Sequence, residues 1–301
     1  MPNFSAKDVQ TLRERTGCGM MDCKRALTDA EGNMEKAVEL LREKGLAAAA
    51  KKAGRIAAEG IVHAVVDNGV GVVVEVNSET DFVGKNADFV AFVDSVAKTV
   101  IKQNPADVDA LLVMKLEGSS DTVEEALREK ILVIGENLKI RRFERYKGVI
   151  STYIHGGGRI GVMVAFDTDA TQSDAFNVYA KDVAMQIAAA NPQYVNKEEV
   201  TPEVIEKEKE ILTLQAINEG QPQNIAEKMV QGRIGKFYKD VCLVEQPFVK
   251  DSDISVGQYT ENVGKELGAS IKILKFVRFE KGEGIEKRED NFAEEVAGMV
   301  K

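Results

Sequence analysis

The stretch Val70-Gly-Val-Val-Val-Glu-Val-Asn-Ser-Glu-Thr-Asp-Phe-Val-Gly-Lys-Asn-Ala-Asp-Phe-Val-Ala-Phe92 decides how the rest of the chain is read. Its dense apolar run from Val70 to Val76 predicts a buried strand. The run ends in a polar turn, Asn77 to Thr80, which presents Asp81 beside Phe82. From Phe89 the period changes, and Phe89, Phe92, Val93, Val96 and Val100 line one helical face. Strand, turn and helix therefore follow one another directly. Two readings of the turn stand. In one, Thr80 or Asp81 caps it and Phe82 packs inward. In the other, Phe82 stands outside, a rigid aromatic beside a charge that can enter a partner's pocket.

The same pattern occurs twice. Gly60-Ile-Val62 resembles Gly148-Val-Ile150, and each is followed by a glycine-bearing turn, Asp67-Asn-Gly69 in one copy and His155-Gly-Gly-Gly158 in the other. Matching strands follow, Gly71-Val-Val-Val74 and Gly161-Val-Met-Val164. The helix marked by Phe89, Phe92, Val96 and Val100 has a counterpart in Phe176, Tyr179, Val183 and Ile187, and both are followed by Asn-Pro, at Asn104-Pro105 and Asn191-Pro192. A hairpin and a helix, repeated, call for a further strand in each copy, because an isolated hairpin is marginal. Residues 137–143 and 270–279 fit that part. The fold class expected is α+β: a core of two repeated α+β subdomains, each a small antiparallel sheet with helices on one face. Their bounds are read as 59–146 for the first, and 147–200 with 240–281 for the second.

Before the core lie three short helices in residues 1–45. Ser5 with Asp8 starts the first, which ends near Gly17; Cys23, Ala26 and Leu27 face inward from the second; Asn33 caps the third. Met21 is read as filling this small core, and Met20, after two loop glycines, as exposed and suited to contact. Residues 46–58, rich in alanine with Lys51, Lys52 and Arg55, read as a short helix or tethering linker. Residues 201–239 interrupt the second copy. Thr201-Pro202 starts one amphipathic helix and Pro222 another, giving an antiparallel helical hairpin inserted in the core. Residues 282–301 read as a carboxy-terminal helical module.

The charge balance, −9 in 301 residues, argues against a non-specific grip on nucleic acid, and the expectation is no direct nucleic-acid partner. No apolar run approaches the ~20 residues of a membrane span. Cys18, Cys23 and Cys242 lack metal-ligand spacing and suit free thiols. With no basic-then-apolar leader, the reading is a cytoplasmic protein. The two histidines, His63 and His155, are placed at the same end of the two hairpins, with no nucleophile or acid beside either as a triad needs. His155 is an exposed tip or closes its own hairpin with a hydrogen bond. Gly156-x-Gly-x-x-Gly161 formally matches a dinucleotide fingerprint. It is followed by an extended run rather than a helix, so its glycines serve a β-turn. The expectation is a protein that is not an enzyme and binds no cofactor of its own.

Several motifs, spread in collinear order from about Val9 onward, resemble the bacterial elongation factor Ts family. They are Thr16-Gly-Cys-Gly-Met-Met-Asp-Cys-Lys-Arg-Ala-Leu27, Thr80-Asp-Phe-Val83, Ile134-Gly-Glu-Asn137, His155-Gly-Gly-Gly-Arg-Ile-Gly161, Ala226-Glu-Lys-Met-Val230, Gln246-Pro-Phe-Val249 and Arg278-Phe-Glu-Lys-Gly-Glu-Gly-Ile-Glu286. The resemblance implies a ubiquitin-associated-like amino-terminal domain and a guanine-nucleotide exchange factor, which speeds GDP release from elongation factor Tu so that GTP can enter. It acts on that partner's nucleotide and magnesium. Carried over residue by residue, Asp81 and Phe82 belong to a turn intruding near the partner's magnesium site. His155 meets the partner outside its nucleotide domain. Arg13, Met20, Met21 and Lys24 form an amino-terminal contact, and Lys52 adds one from the linker. Cys18 stands where the family commonly has alanine, and is read as an exposed, oxidisable thiol. Two assembly states stay open, a homodimer and a 2:2 complex. The alternative function is a binding or chaperone-like protein that uses the same surfaces without promoting exchange.

Overall fold

The computed structural model describes residues 3–171 and 173–286. By its internal contacts the chain divides into two compact units. The first comprises the residues up to His63, Val74–Phe143 and the segment that starts at Glu280; the second comprises Ala64–Val73 and Glu144–Phe279.

In the first unit, helices α1 (Ala6–Thr16), α2 (Met20–Asp29) and α3 (Met34–Lys52) enclose a small core of Val9, Leu12, Cys23, Leu27, Ala37 and Leu41. Local chemistry sets their starts. Ser5 and Asp8 form a reciprocal capping box, and Asn33 accepts from the Lys36 amide. Helix α3 does not stop near residue 45. Gly45 is buried inside it against the Arg128 carbonyl side of a later helix, and the alanine-rich stretch simply continues the α-helix to Lys52. Met21 is not core. It is 61% exposed and Met20 53%, because Cys23, Ala26 and Leu27 occupy the inward face of α2.

Strands β1 (Glu59–Asp67) and β2 (Val70–Ser78) form a hairpin, and β3 (Lys139–Lys147) completes a sheet in the order β1-β2-β3. Strand β2 is longer than the apolar run, because Asn77 and Ser78 are buried within it rather than lying in the turn. Helix α4 (Ala87–Gln103) buries Phe89, Phe92, Val93, Val96 and Val100, and is followed by α5 (Val108–Leu112) and α6 (Val123–Ile134).

The second unit holds β4 (Val149–His155) and β5 (Ile160–Thr168), paired antiparallel from Val149↔Phe166 to His155↔Ile160. With β8 (Ile271–Glu280) they form a sheet in the order β4-β5-β8. Helix α7 (Asp174–Ala190) packs on it through Phe176, Tyr179, Val183 and Ile187. The Asn-Pro pair of each copy has one cause. Asn104 (φ 50°) and Asn191 (φ 46°) end α4 and α7 in the left-handed conformation, which asparagine tolerates, and proline then prevents continuation. Helices α8 (Pro202–Asn218) and α9 (Gln223–Val241) pack against each other through Ala216, Ala226 and Val230. They leave Ile211, Leu214, Ile217 and Ile225 exposed. A two-stranded ribbon of β6 (Pro247–Phe248) and β7 (Asp251–Ser255) leads into α10 (Val256–Leu267). The architecture is thus mixed α+β with small antiparallel sheets. The helical module expected over 282–301 lies almost wholly outside the described residues. No helix among the described residues is long and apolar enough to cross a membrane.

Candidate functional site

The turn after β2 is held at both ends and left bare at its apex. At its start the Ser78 hydroxyl donates to the Thr80 carbonyl at 2.8 Å. The Thr80 amide and hydroxyl donate to the two carboxylate oxygens of Glu136, at 2.9 and 2.6 Å. In return the Asn137 amide donates to Glu79 at 2.6 Å; Arg55 pairs with the same Glu79 oxygen at 3.3 Å. The Asn137 side chain donates to the Arg55 carbonyl at 2.8 Å. At its far end Val83 is buried and Gly84 lies flush on β1. A Cβ at 84 would come within 2.9 Å of the Gly60 carbonyl oxygen, so only glycine fits. Asn86 then caps α4 by accepting from the Phe89 amide.

Between these anchors Phe82 is 77% exposed. That decides between the two readings of the turn: Phe82 is not core. Lys85, one turn on, sits 5.9 Å from the ring centroid and 3.1 Å from the Asp81 carboxylate. The hydrogen bond and charge of Lys85 hold the Asp81 carboxyl below the usual aspartate range. The site therefore presents a rigid apolar ring flanked by an anion and a cation.

Strand β2 is tied down from beneath. Glu75 is fully buried and accepts from Arg142 Nε at 2.6 Å, Arg141 at 3.1 Å, the Asn77 side-chain Nδ2 at 3.0 Å and the Gly282 N–H at 2.8 Å. Burial alone would raise its carboxyl, but the Gly282, Asn77 and Arg142 donors outweigh it and leave the group below the ordinary glutamate range. Arg142 also pairs with Glu283 at 3.1 Å, and Lys281 with Glu59. Arg141 and Arg142, part of the basic run of β3, are thus engaged internally.

Within the same unit, Arg13 on α1 and Met20, Met21 and Lys24 on α2 are all exposed. Met20 and Met21 lie four and three residues before Lys24 and share its helix face. Lys52 is half-buried in the last turn of α3. In the second unit His155 is exposed at the end of β4, beside a turn in which Gly156, Gly157 and Gly158 all have positive φ. The hairpin is closed by the Arg159 amide donating to the His155 carbonyl, while the imidazole Nδ1 lies 3.1 Å from the Tyr153 hydroxyl on its own strand. The Gly-x-Gly-x-x-Gly match is a β-turn, as the following extended run requires.

Three expectations need correction. His63 lies in the middle of β1, not at the hairpin end that His155 occupies, and an acid does stand beside it: Asp94 of α4, at 3.1 Å. Cys18 is buried, with its thiol directed to the Thr16 carbonyl, and burial pushes its pKa up, so it is not an exposed oxidisable thiol. Glu79, Glu136, Asn137 and Glu75 carry the geometry of the turn, yet none stood out by residue type. The motif Ile134-Gly-Glu-Asn137 pointed to Glu136 and Asn137 alone.

A family model described as elongation factor TS matches residues 79–283. An elongation factor Ts of Clostridium perfringens (strain SM101 / Type A) is 57% identical over 301 residues, covering 98% of this chain and 99% of that protein. One of Clostridium kluyveri (strain NBRC 12016) is 54% identical, and one of Syntrophotalea carbinolica 49%, each covering 99% of both chains. With the match spanning the exposed turn, the hairpin of His155 and the segment after Glu280, the chain belongs to the elongation factor Ts family.

Proposed function

We infer that this chain is a guanine-nucleotide exchange factor for elongation factor Tu, acting in the cytoplasm without covalent chemistry of its own. Family membership carries the partner and the activity, and the exposed Phe82 on a braced turn carries the mechanism. The exchange factor binds the nucleotide-free partner tightly and the nucleotide-bound partner weakly. Linkage then requires that it weaken nucleotide binding by the same factor. Phe82 enters the partner's nucleotide domain near the magnesium site, with Asp81 at its side, and displaces the elements that hold ion and phosphates. GDP leaves faster, either nucleotide can then enter, and their abundance sets the direction.

Arg13, Met20, Met21 and Lys24 offer one further contact surface. Two soft methionine side chains beside two cations suit a mixed apolar and acidic surface on the partner. Lys52 extends this surface, and His155 meets the partner outside its nucleotide domain. In this reading the three amino-terminal helices are a ubiquitin-associated-like domain, and the two hairpin-and-helix copies are repeated subdomains. The α8–α9 pair is an inserted hairpin, and the residues after 281 are a carboxy-terminal module. The test is release of a fluorescent GDP from elongation factor Tu, followed by stopped flow with excess unlabelled GDP and rising amounts of this protein. Concentration-dependent acceleration to a plateau is expected. Binding to elongation factor Tu without acceleration would leave only a partner-binding protein.

A further inference from the structure

We propose that Glu136 is a positioning residue for nucleotide exchange, because with Glu79 it forms a clasp that fixes the exposed turn in its working conformation. The inference rests on the exchange reading above. Glu79 precedes Thr80, and Glu136 precedes Asn137. Each carboxylate accepts the amide of the residue that follows the other: Glu136 takes Thr80 N–H at 2.9 Å, and Glu79 takes Asn137 N–H at 2.6 Å. The Thr80 hydroxyl adds a 2.6 Å bond to the second oxygen of Glu136. Arg55 closes the arrangement, pairing with Glu79 by its guanidinium and accepting from the Asn137 side chain by its carbonyl.

These bonds join segments 56 to 58 residues apart, just past the end of β2 and just before the start of β3, and they reach the turn without covering its apex. Phe82, two residues past Thr80, is left in solvent. Charged acceptors make hydrogen bonds shorter and stronger than neutral ones. Their evident product is order in a turn that would otherwise sample many conformations. A side chain that must push into a partner loses force when its backbone yields, and ordering a loose turn during binding subtracts from the interaction. Glu136 touches neither nucleotide nor partner in this scheme; it acts through Thr80 on the direction of Phe82.

The test uses the full chain and the same GDP-release assay with wild type, Glu136→Ala, Glu136→Gln, Phe82→Ala and the double variant Phe82→Ala/Glu136→Ala. Glu136→Ala is expected to lower the plateau rate about tenfold, equivalent to ~1.4 kcal/mol. Glu136→Gln, which keeps a carbonyl acceptor for the Thr80 amide, recovers most of that. The double variant should be no slower than Phe82→Ala alone, because a clasp has nothing to aim once the ring is gone. Amide hydrogen exchange should quicken across residues 80–85 in Glu136→Ala while α4 and β2 keep their protection. An unchanged plateau, a double variant in which the two losses multiply, or lost protection throughout the unit would each overturn the proposal. If Glu136→Ala does not fold, Thr80→Val removes only the hydroxyl bond, and its slowing must likewise vanish without Phe82. Absence of acceleration by wild type would sink the exchange reading instead, and hydrogen exchange at the turn would still judge the clasp.

Discussion

Replacing Phe82 with alanine separates folding from function, because the ring is 77% exposed in the folded chain. Burying a phenylalanine fully is worth ~1.5–3 kcal/mol, and only about a quarter of this ring is covered, so truncation removes roughly 0.5 kcal/mol of folding free energy. The exposed contact with Lys85 at 5.9 Å adds about 0.5 kcal/mol more. For a chain of this size a loss of about 1 kcal/mol moves the melting temperature by only ~2–4 °C. Against elongation factor Tu the arithmetic differs. A ring that fills a pocket at the centre of an interface costs at least ~2 kcal/mol when truncated, which is about 30-fold in rate if it acts in the transition state for release. The plateau rate of stopped-flow GDP release should therefore fall at least about 30-fold while the melting curve barely shifts. A plateau within a factor of three of wild type, from folded Phe82→Ala, would refute the wedge. A melting temperature that dropped by ten degrees or more would show instead that the ring supports the fold.

The other expectations can be checked separately. Glu75→Gln removes the charge that satisfies Arg141 and Arg142 and should cost about 2–3 kcal/mol, less than a fully buried pair because both arginines retain some solvent. Since the folded carboxyl titrates below its ordinary value of 4.5, its contribution is complete above that pH and is lost as pH falls below it. Urea midpoints of wild type and Glu75→Gln should therefore converge on acidification, and a gap unchanged between pH 7 and pH 3 would contradict the network. Cys18, Cys23 and Cys242 are all buried, so a thiol reagent should label none of them quickly in the native chain and all three in guanidinium; rapid native labelling would place a thiol at the surface. His155→Ala should leave urea stability within about 0.5 kcal/mol, as for other exposed substitutions, while slowing GDP release. Unaltered release would remove His155 from the contact.

What was legible in the sequence was mostly what neighbouring residues decide. Ser5 with Asp8, and Asn33, cap helices through atoms three residues away, and Asn104 and Asn191 end α4 and α7 by their own backbone conformation. The repeat exposed the sheets because a hairpin and the helix packed on it occupy one short stretch. Reading failed where a distant segment decided. The boundary expected between residues 45 and 46 falls inside α3, where Gly45 lies against α6. His63 looked partnerless until α4 brought Asp94 beside it, 31 residues on. Met21 looked like filler for a small core that Cys23, Ala26 and Leu27 already complete. Phe82 was balanced between inside and outside because its neighbours permit both. The bonds from Thr80 and Asn137, set by residues more than fifty positions apart, put it outside.

That division bears on how much one side chain can do. Accelerating release a thousandfold requires ~4 kcal/mol of preferential binding to the transition state, and a wedge at Phe82 worth about 2 kcal/mol would supply half of it. On the proposed reading, the balance comes from the surfaces assigned there to the partner: the Met20, Met21 and Lys24 face and the tip at His155. Both are exposed and neither is needed for the local core, so each can be removed without unfolding. If they only anchor, their loss raises the concentration of exchange factor needed for half-maximal acceleration and spares the plateau. If they help distort the partner, the plateau falls as it does for Phe82→Ala. Measuring both quantities for Met20→Ala/Met21→Ala and for His155→Ala therefore assigns each surface to holding or to pushing. By reciprocity, whatever factor the pushing contacts take from GDP affinity at equilibrium, bound GDP must take from the affinity of this chain.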